Sequence, residues 1–139
     1  MRTNTVKFKF IKSVRTGIEH LDDDHRKLIS HINSIAELEQ FADTTAIIDA
    51  LLEFKEQLAK HFQGEEAYLK AVDYPKLGHH IKHHEEILDA LDQLMRNIQE
   101  GKPIEGAAAD ICYHELIMVV LQRDMEFMNW LADRPEFKK

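Results

Sequence analysis

Apolar residues return at three- and four-residue steps along most of the 139-residue chain, the spacing that gathers them on one face of an α-helix. Ile18, Leu21, Leu28, Ile32 and Ile35 mark a first helix from about Glu19 to Leu38. Ile47, Leu51, Phe54, Leu58, Phe62 and Leu69 mark a second from about Thr45 to Lys70. It stops before Asp73-Tyr74-Pro75, because proline lacks a backbone donor and disfavours a helical residue before it. A third runs roughly from Leu77 to Glu100 through Ile87, Leu88, Leu91, Leu94, Met95 and Ile98, with Gly101-Lys102-Pro103 as its stop. The fourth, from about Ile104 to Ala132, carries Ile111, Leu116, Val120, Phe127, Met128 and Leu131 ahead of Arg134-Pro135. Four helices with short connections predict an all-α, antiparallel up-down-up-down four-helix bundle over about residues 18–132. Residues 1–17 form an N-terminal arm, with Phe8 and Phe10 expected to pack on the bundle.

Composition narrows the function classes. The length suits one domain spanning 1–139. Eighteen Lys and Arg against 25 Asp and Glu leave a net charge of -7, the opposite of the basic footprint that a nucleic-acid partner requires. The longest apolar run, Leu116 to Leu121, is far short of the roughly 20 residues of a membrane span. The opening stretch, Met1 to Ser13, has basic residues but no apolar core of a signal peptide, so the expectation is a cytoplasmic protein with no membrane partner. A single cysteine, Cys112, rules out an intrachain disulfide and a thiolate metal cluster, and its apolar context fits a small buried hydrophobe.

The nine histidines change the picture, because several fall on the apolar seams. His25 is in step with Leu21, Leu28 and Ile29, and His61 with Leu58 and Phe62. Glu65 follows His61 by one helical turn, His80 and His84 are spaced i, i+4 on the third helix, and Asp124 is in step with Val120 and Phe127 on the fourth. Taken singly, a seam histidine is a hydrogen-bonded core residue and a seam carboxylate a solvated flank. Taken together, all four helices aim ionisable donors at one interior, where an unpaired charge is costly. A shared metal accounts for the whole set, and imidazole with carboxylate suits iron, manganese or zinc. His79 and His83 form a second i, i+4 pair, turned about 100° away, which places them at the flank or in hydrogen bonds beside the site. His20 and His31 fall off the seam, and His114 has no assigned role.

Other chemistries lack their signatures. No Glu is followed by His at the third position, as the paired Glu-x-x-His motifs of ferritin-like di-iron bundles require. His114-Glu115 meets Met118 where a zinc protease needs a second histidine, and there is no glycine-rich phosphate loop. Ser13, Ser30 and Ser34 have no nucleophile context.

The segments Gly17-Ile18 to Asp24-His25, His61-Phe62-Gln63-Gly64-Glu65-Glu66, and Tyr74-Pro75 followed by His80 and His84 resemble the hemerythrin family, specifically the bacterial hemerythrins, over about residues 8–131. The resemblance implies a four-helix bundle with a non-haem di-iron centre that binds dioxygen reversibly. By position, His25 and His61 would ligate one iron, His80 and His84 the other, and Glu65 and Asp124 would bridge both. Ile29, Phe62 and Leu121 would wall the site against water. The family's fourth helix carries His-x4-Asp, and with Asp124 as the aspartate, Val119 stands at the histidine position.

That departure leaves one iron short of an imidazole and the metal content open: two irons, one iron, or another divalent metal. Three outcomes stay open with it. The chain is a di-iron protein that binds dioxygen or another small diatomic ligand for storage, delivery or sensing; or a diiron or mononuclear redox enzyme acting on oxygen, peroxide or nitric oxide; or a metal-binding or degenerate bundle acting as an interaction module. Val119→His is expected to strengthen iron retention and slow autoxidation, measured as iron per chain after desalting and as the rate of oxidation in air. Equal retention in variant and parent would show that the fourth-helix register is misread.

Overall fold

The structure is a computed structural model that describes residues 19–40, 43–102 and 107–134, without the side chains of His20 and Leu121. The expected packing of Phe8 and Phe10, and a fourth-helix start at Ile104, lie outside the described residues. Helices α1 (Glu19–Leu38), α2 (Thr44–Ala71) and α3 (Leu77–Gln99) match the sequence expectation to within a residue at each end, and a fourth helix covers residues 108–132. The chain is an all-α four-helix bundle in which α1 packs along α2, α2 along α3, and the fourth helix returns against α1.

Local chemistry fixes where the helices begin and end. Asp43, in extended backbone, caps α2 by accepting a hydrogen bond from Ala46 N at 3.0 Å. At the far end Asp73 takes a left-handed φ of 58°. The Asp73 N–H bonds back to Lys70 O and the Tyr74 N–H to Leu69 O, the pairing of a Schellman stop. Tyr74 and Leu69 then meet in one apolar cluster, so the stop also fixes where the Tyr74 ring goes. Gly101, at φ 70°, closes α3 in the same way, with Lys102 N bonding Asn97 O at 2.8 Å.

The fourth helix departs from the uniform α-helix expected of it. It runs α-helical over Ala108–Ile111, π-helical over Cys112–Ile117 and α-helical again over Met118–Ala132, with the Met118 N–H reaching back five residues to Tyr113 O. His114 and Glu115 are both exposed. Cys112 is fully buried, and burial together with the charge of Glu39 pushes its thiol up to about 12, consistent with a packed hydrophobe.

Two apolar clusters fill the bundle. The larger holds Leu28, Ile32, Leu51, Phe54, Leu58, Phe62, Ile87, Leu91 and Leu116 among others; the smaller joins Leu21, Leu69, Val72, Tyr74, Phe127 and Leu131. Along each helix the seam positions between the clusters are polar: His25, His61 with Glu65, His80 with His84, and Asp124 are all buried. No helix among the described residues is long and apolar enough to cross a membrane.

One contact locks the open end of the bundle. Glu39, just past α1, accepts from Ala108 N at 2.6 Å and Ala109 N at 2.9 Å. A carboxylate there satisfies two of the donors that a helix N-terminus leaves unpaired and opposes its dipole. Glu39→Ala is expected to cost about 1–2 kcal/mol in urea unfolding. An unchanged midpoint would mean that water replaces the carboxylate without loss.

Candidate metal centre

The six residues singled out by seam position converge on one interior. His25, His61, Glu65, His80, His84 and Asp124 are each at most 5% exposed. They form two groups that can hold a metal ion, His25 with His61 and Asp124, and Glu65 with His80 and His84, the donor atoms of each group lying within 4.8 Å of one another. Glu65 lies across the division: Oε1 is 2.5 Å from His80 Nε2 and 3.1 Å from His84 Nε2, while Oε2 is 3.5 Å from His61 Nε2. Asp124 does the same, with Oδ2 at 3.2 Å from His25 Nε2 and Oδ1 at 3.6 Å from His80 Nε2.

Outer groups aim the rings. Asp24 accepts a hydrogen bond from His61 Nδ1 at 3.1 Å, and Glu66 accepts from His84 Nδ1 at 2.7 Å. Because a carboxylate only accepts, these bonds place a ring proton on Nδ1 and turn Nε2 toward the interior. Phe62 stacks on His84 with ring centroids 3.8 Å apart and planes 5° from parallel, while His25 and His61 meet edge to face at 4.8 Å. Asp24 and Glu66 were not assigned a role from the sequence. The available signal is adjacency: each follows or precedes a seam donor and reaches the ring on the next helix.

His79 is exposed and His31 half-buried. His83 is half-buried, with Nδ1 3.8 Å from Glu86 Oε1; burial, then the charges of Arg123 and His84, lower its pKa. Ile29 and Phe62 are buried, and the Leu121 side chain lies outside the described residues. Val119 is partly buried and packs on the larger apolar cluster, so among the described residues Asp124 is the fourth helix's contribution to the two donor groups. A cavity of about 210 Å³, lined by Tyr74, Lys76, His79, His80, Arg123 and Glu126, reaches the centre at His80.

The polar atoms fit a cation. His25 Nδ1 and Nε2, His61 Nε2, Glu65 Oε2 and both Asp124 oxygens are buried without a hydrogen-bond partner. Each such atom costs about 1–3 kcal/mol if left unsatisfied. Nitrogen and carboxylate donors meeting at these distances are relieved together by divalent ions.

The family profile described as Hemerythrin HHE cation binding domain matches residues 16–133. The chain belongs to the hemerythrin family. It is similar to hemerythrin-family proteins named bacteriohemerythrin: 35% identical over 88 residues to that of Clostridium acetobutylicum (60% of this chain, 67% of the relative). The identity is 26% over 92 residues with that of Campylobacter jejuni serotype O:6 (66% and 68%). It is 24% over 91 residues with that of Pseudomonas aeruginosa strain LESB58 (66% and 60%). The chain thus spans 60% of the Pseudomonas relative's length and about two thirds of the other two. No solved structure matches the chain.

Charge in this hemerythrin-type cluster is set by mutual compensation. Burial opposes the charged ring of His61, but the nearby carboxylates of Glu65, Asp124 and Asp24 outweigh it and raise its pKa from 6.5 to about 9. Burial likewise opposes a charged His80, and the nearby Asp124 and Glu65 lift it to about 9. Burial works to raise Glu65, yet the rings of His61, His80 and His84 hold it well below its ordinary value. Asp124 goes the other way, raised first by burial and then by the charge of Glu65.

The stability consequence has a definite sign. The raised histidines stabilise the metal-free fold fully below pH 6.5 and lose that contribution as pH climbs through 9. Glu65, depressed, stabilises above its ordinary value and loses that contribution as pH falls through its folded value. A metal needs the rings neutral, so uptake must expel their protons. Titrating zinc into the metal-free chain in weak buffer at pH 7.5 is expected to release about two protons per chain, and affinity is expected to rise from pH 6 to 9. Uptake without proton release would show that His61 and His80 are not the binding rings.

Proposed function

We propose that the chain is a non-haem di-iron protein that binds dioxygen or another small diatomic ligand reversibly, for storage, delivery or sensing. In this reading His25 and His61 hold one iron, His80 and His84 the other, and Glu65 and Asp124 bridge them, within a single unit over residues 1–139. The observation that carries it is the placement of the two carboxylates, each of which turns one oxygen toward each donor group. When bound, an iron pair supplies the electrons on which reversible dioxygen binding draws. The chain's own residues do the rest. Asp24 and Glu66 retain protons at Nδ1 of His61 and His84, which keeps Nε2 as the donor. Phe62 and Ile29, at 2% and 3% exposure, exclude water from the interior and so slow irreversible loss of electrons.

A second reading, a redox enzyme acting on dioxygen, peroxide or nitric oxide, is favoured by two specific features. Two imidazoles, His80 and His84, serve their group together with Glu65, and the cavity between α3 and the fourth helix reaches His80. An open coordination position beside such a cavity suits turnover.

Anaerobic reconstitution with ferrous iron, desalting and metal analysis test the reading. About two irons per chain are expected, with a visible absorption that appears in oxygen and disappears on deoxygenation. Two irons with rapid irreversible oxidation, or turnover of peroxide or nitric oxide, would move the assignment to the enzyme. A chain that retains no iron would overturn both.

A further inference from the structure

The α2 stop places Tyr74 at the edge of the metal centre. Its ring meets His80 nearly perpendicular at a centroid distance of 6.3 Å, and it also meets Trp130 at 5.4 Å. Tyr74 is buried, whereas Trp130 is half-exposed near the end of the fourth helix. The Arg134 guanidinium lies 4.1 Å above the indole, and Arg134 donates to the Trp130 carbonyl at 3.1 Å. His80, Tyr74 and Trp130 therefore form a line of touching rings from the donor cluster to the surface. Aromatic rings commonly pack this way for volume alone, and Phe127 beside them does so. What sets the line apart is the order of its chemistry: the two rings that can give up an electron, phenol and indole, stand consecutively between the centre and solvent. Tyr74 also lines the cavity with His79 and Glu126, so a phenolic proton has somewhere to go.

We infer that Tyr74 and Trp130 form an electron relay through which a small one-electron donor in solution discharges the metal centre when peroxide attacks it. The relay rests on the di-iron reading above. Peroxide takes two electrons and two protons in becoming two waters. With both irons already ferric, the electrons come singly from the relay. Tyr74 gives up one electron, and its hydroxyl proton passes into the cavity beside Glu126. Trp130 returns an electron to Tyr74, which takes a proton back, and a donor such as ferrocyanide refills Trp130 at the surface. Two passages consume one peroxide, two solvent protons and two donor molecules, and leave the chain unchanged. Arg134 gates the exit, because a cation over the indole opposes a positive hole on it.

The test uses the full chain reconstituted with iron, its metal content measured first. Peroxide is then added without a donor, followed by freeze-quench electron paramagnetic resonance and peptide mass mapping. A tyrosyl signal and oxidised Trp130 are expected. Tyr74→Phe, which keeps the ring, should retain the iron while lowering Trp130 oxidation at least about tenfold. Trp130→Phe should prolong the tyrosyl signal, which keeps the relay testable if Tyr74→Phe fails to fold. Arg134→Gln should raise Trp130 oxidation. With ferrocyanide present, the parent should consume about two per peroxide. Unchanged Trp130 oxidation in iron-loaded Tyr74→Phe, or equal oxidation in the metal-free chain, would overturn the relay alone. A chain that takes up no iron would overturn the di-iron reading and the relay with it.

Discussion

Two carboxylates buried at the centre of a helical bundle govern the rest of the architecture. Glu65 and Asp124 are 0% and 1% exposed, and charge in such a place persists only when partners surround it. Four imidazoles from three helices provide them. The compensation is unequal, with Glu65 held ionised by its rings and Asp124 pushed toward its neutral form by burial and by Glu65. Two acids sharing a site in this way are poised for positive charge of their own, which is the demand that a pair of cations meets.

Apolar clusters lie on either side of the polar layer, so sliding a helix by a turn would bring apolar side chains against the donors and donors against the core. Phe62 shows the economy of the arrangement, belonging to the larger cluster while its ring stacks on His84. Tyr74 plays the corresponding part at the other end, filling the smaller cluster while touching His80. The outer carboxylates Asp24 and Glu66 tie α1 to α2 and α2 to α3 through the same rings they orient. The side chains that orient the donor rings therefore also join the helices.

How much of this was legible in the sequence depends on how local its cause is. The first three helices and their boundaries were readable because apolar periodicity, Pro75 and Gly101 act within a few residues. The six seam donors were readable for the same reason, since i, i+4 spacing within a helix settles which face a side chain takes. Asp24 and Glu66 were not. Each lies one residue from a seam position, about 100° around the helix, where a carboxylate resembles a solvated flank until the neighbouring helix is in place. The π-turn over Cys112–Ile117 was also hidden, because no glycine or proline marks it in the sequence. Tyr74 was visible as part of a helix stop but not as a neighbour of His80, which depends on the left-handed Asp73.

The central claim is that one pair of carboxylates joins two metal positions into a single centre. Magnetic coupling tests it most directly, by low-temperature electron paramagnetic resonance with parallel Mössbauer spectra on the fully iron-loaded, oxidised chain. The account predicts two ferric ions per chain that are antiferromagnetically coupled, giving no ferric resonance despite full iron content. A resonance of isolated high-spin ferric ions accounting for all the iron would show that Glu65 and Asp124 do not bridge, and would contradict the account.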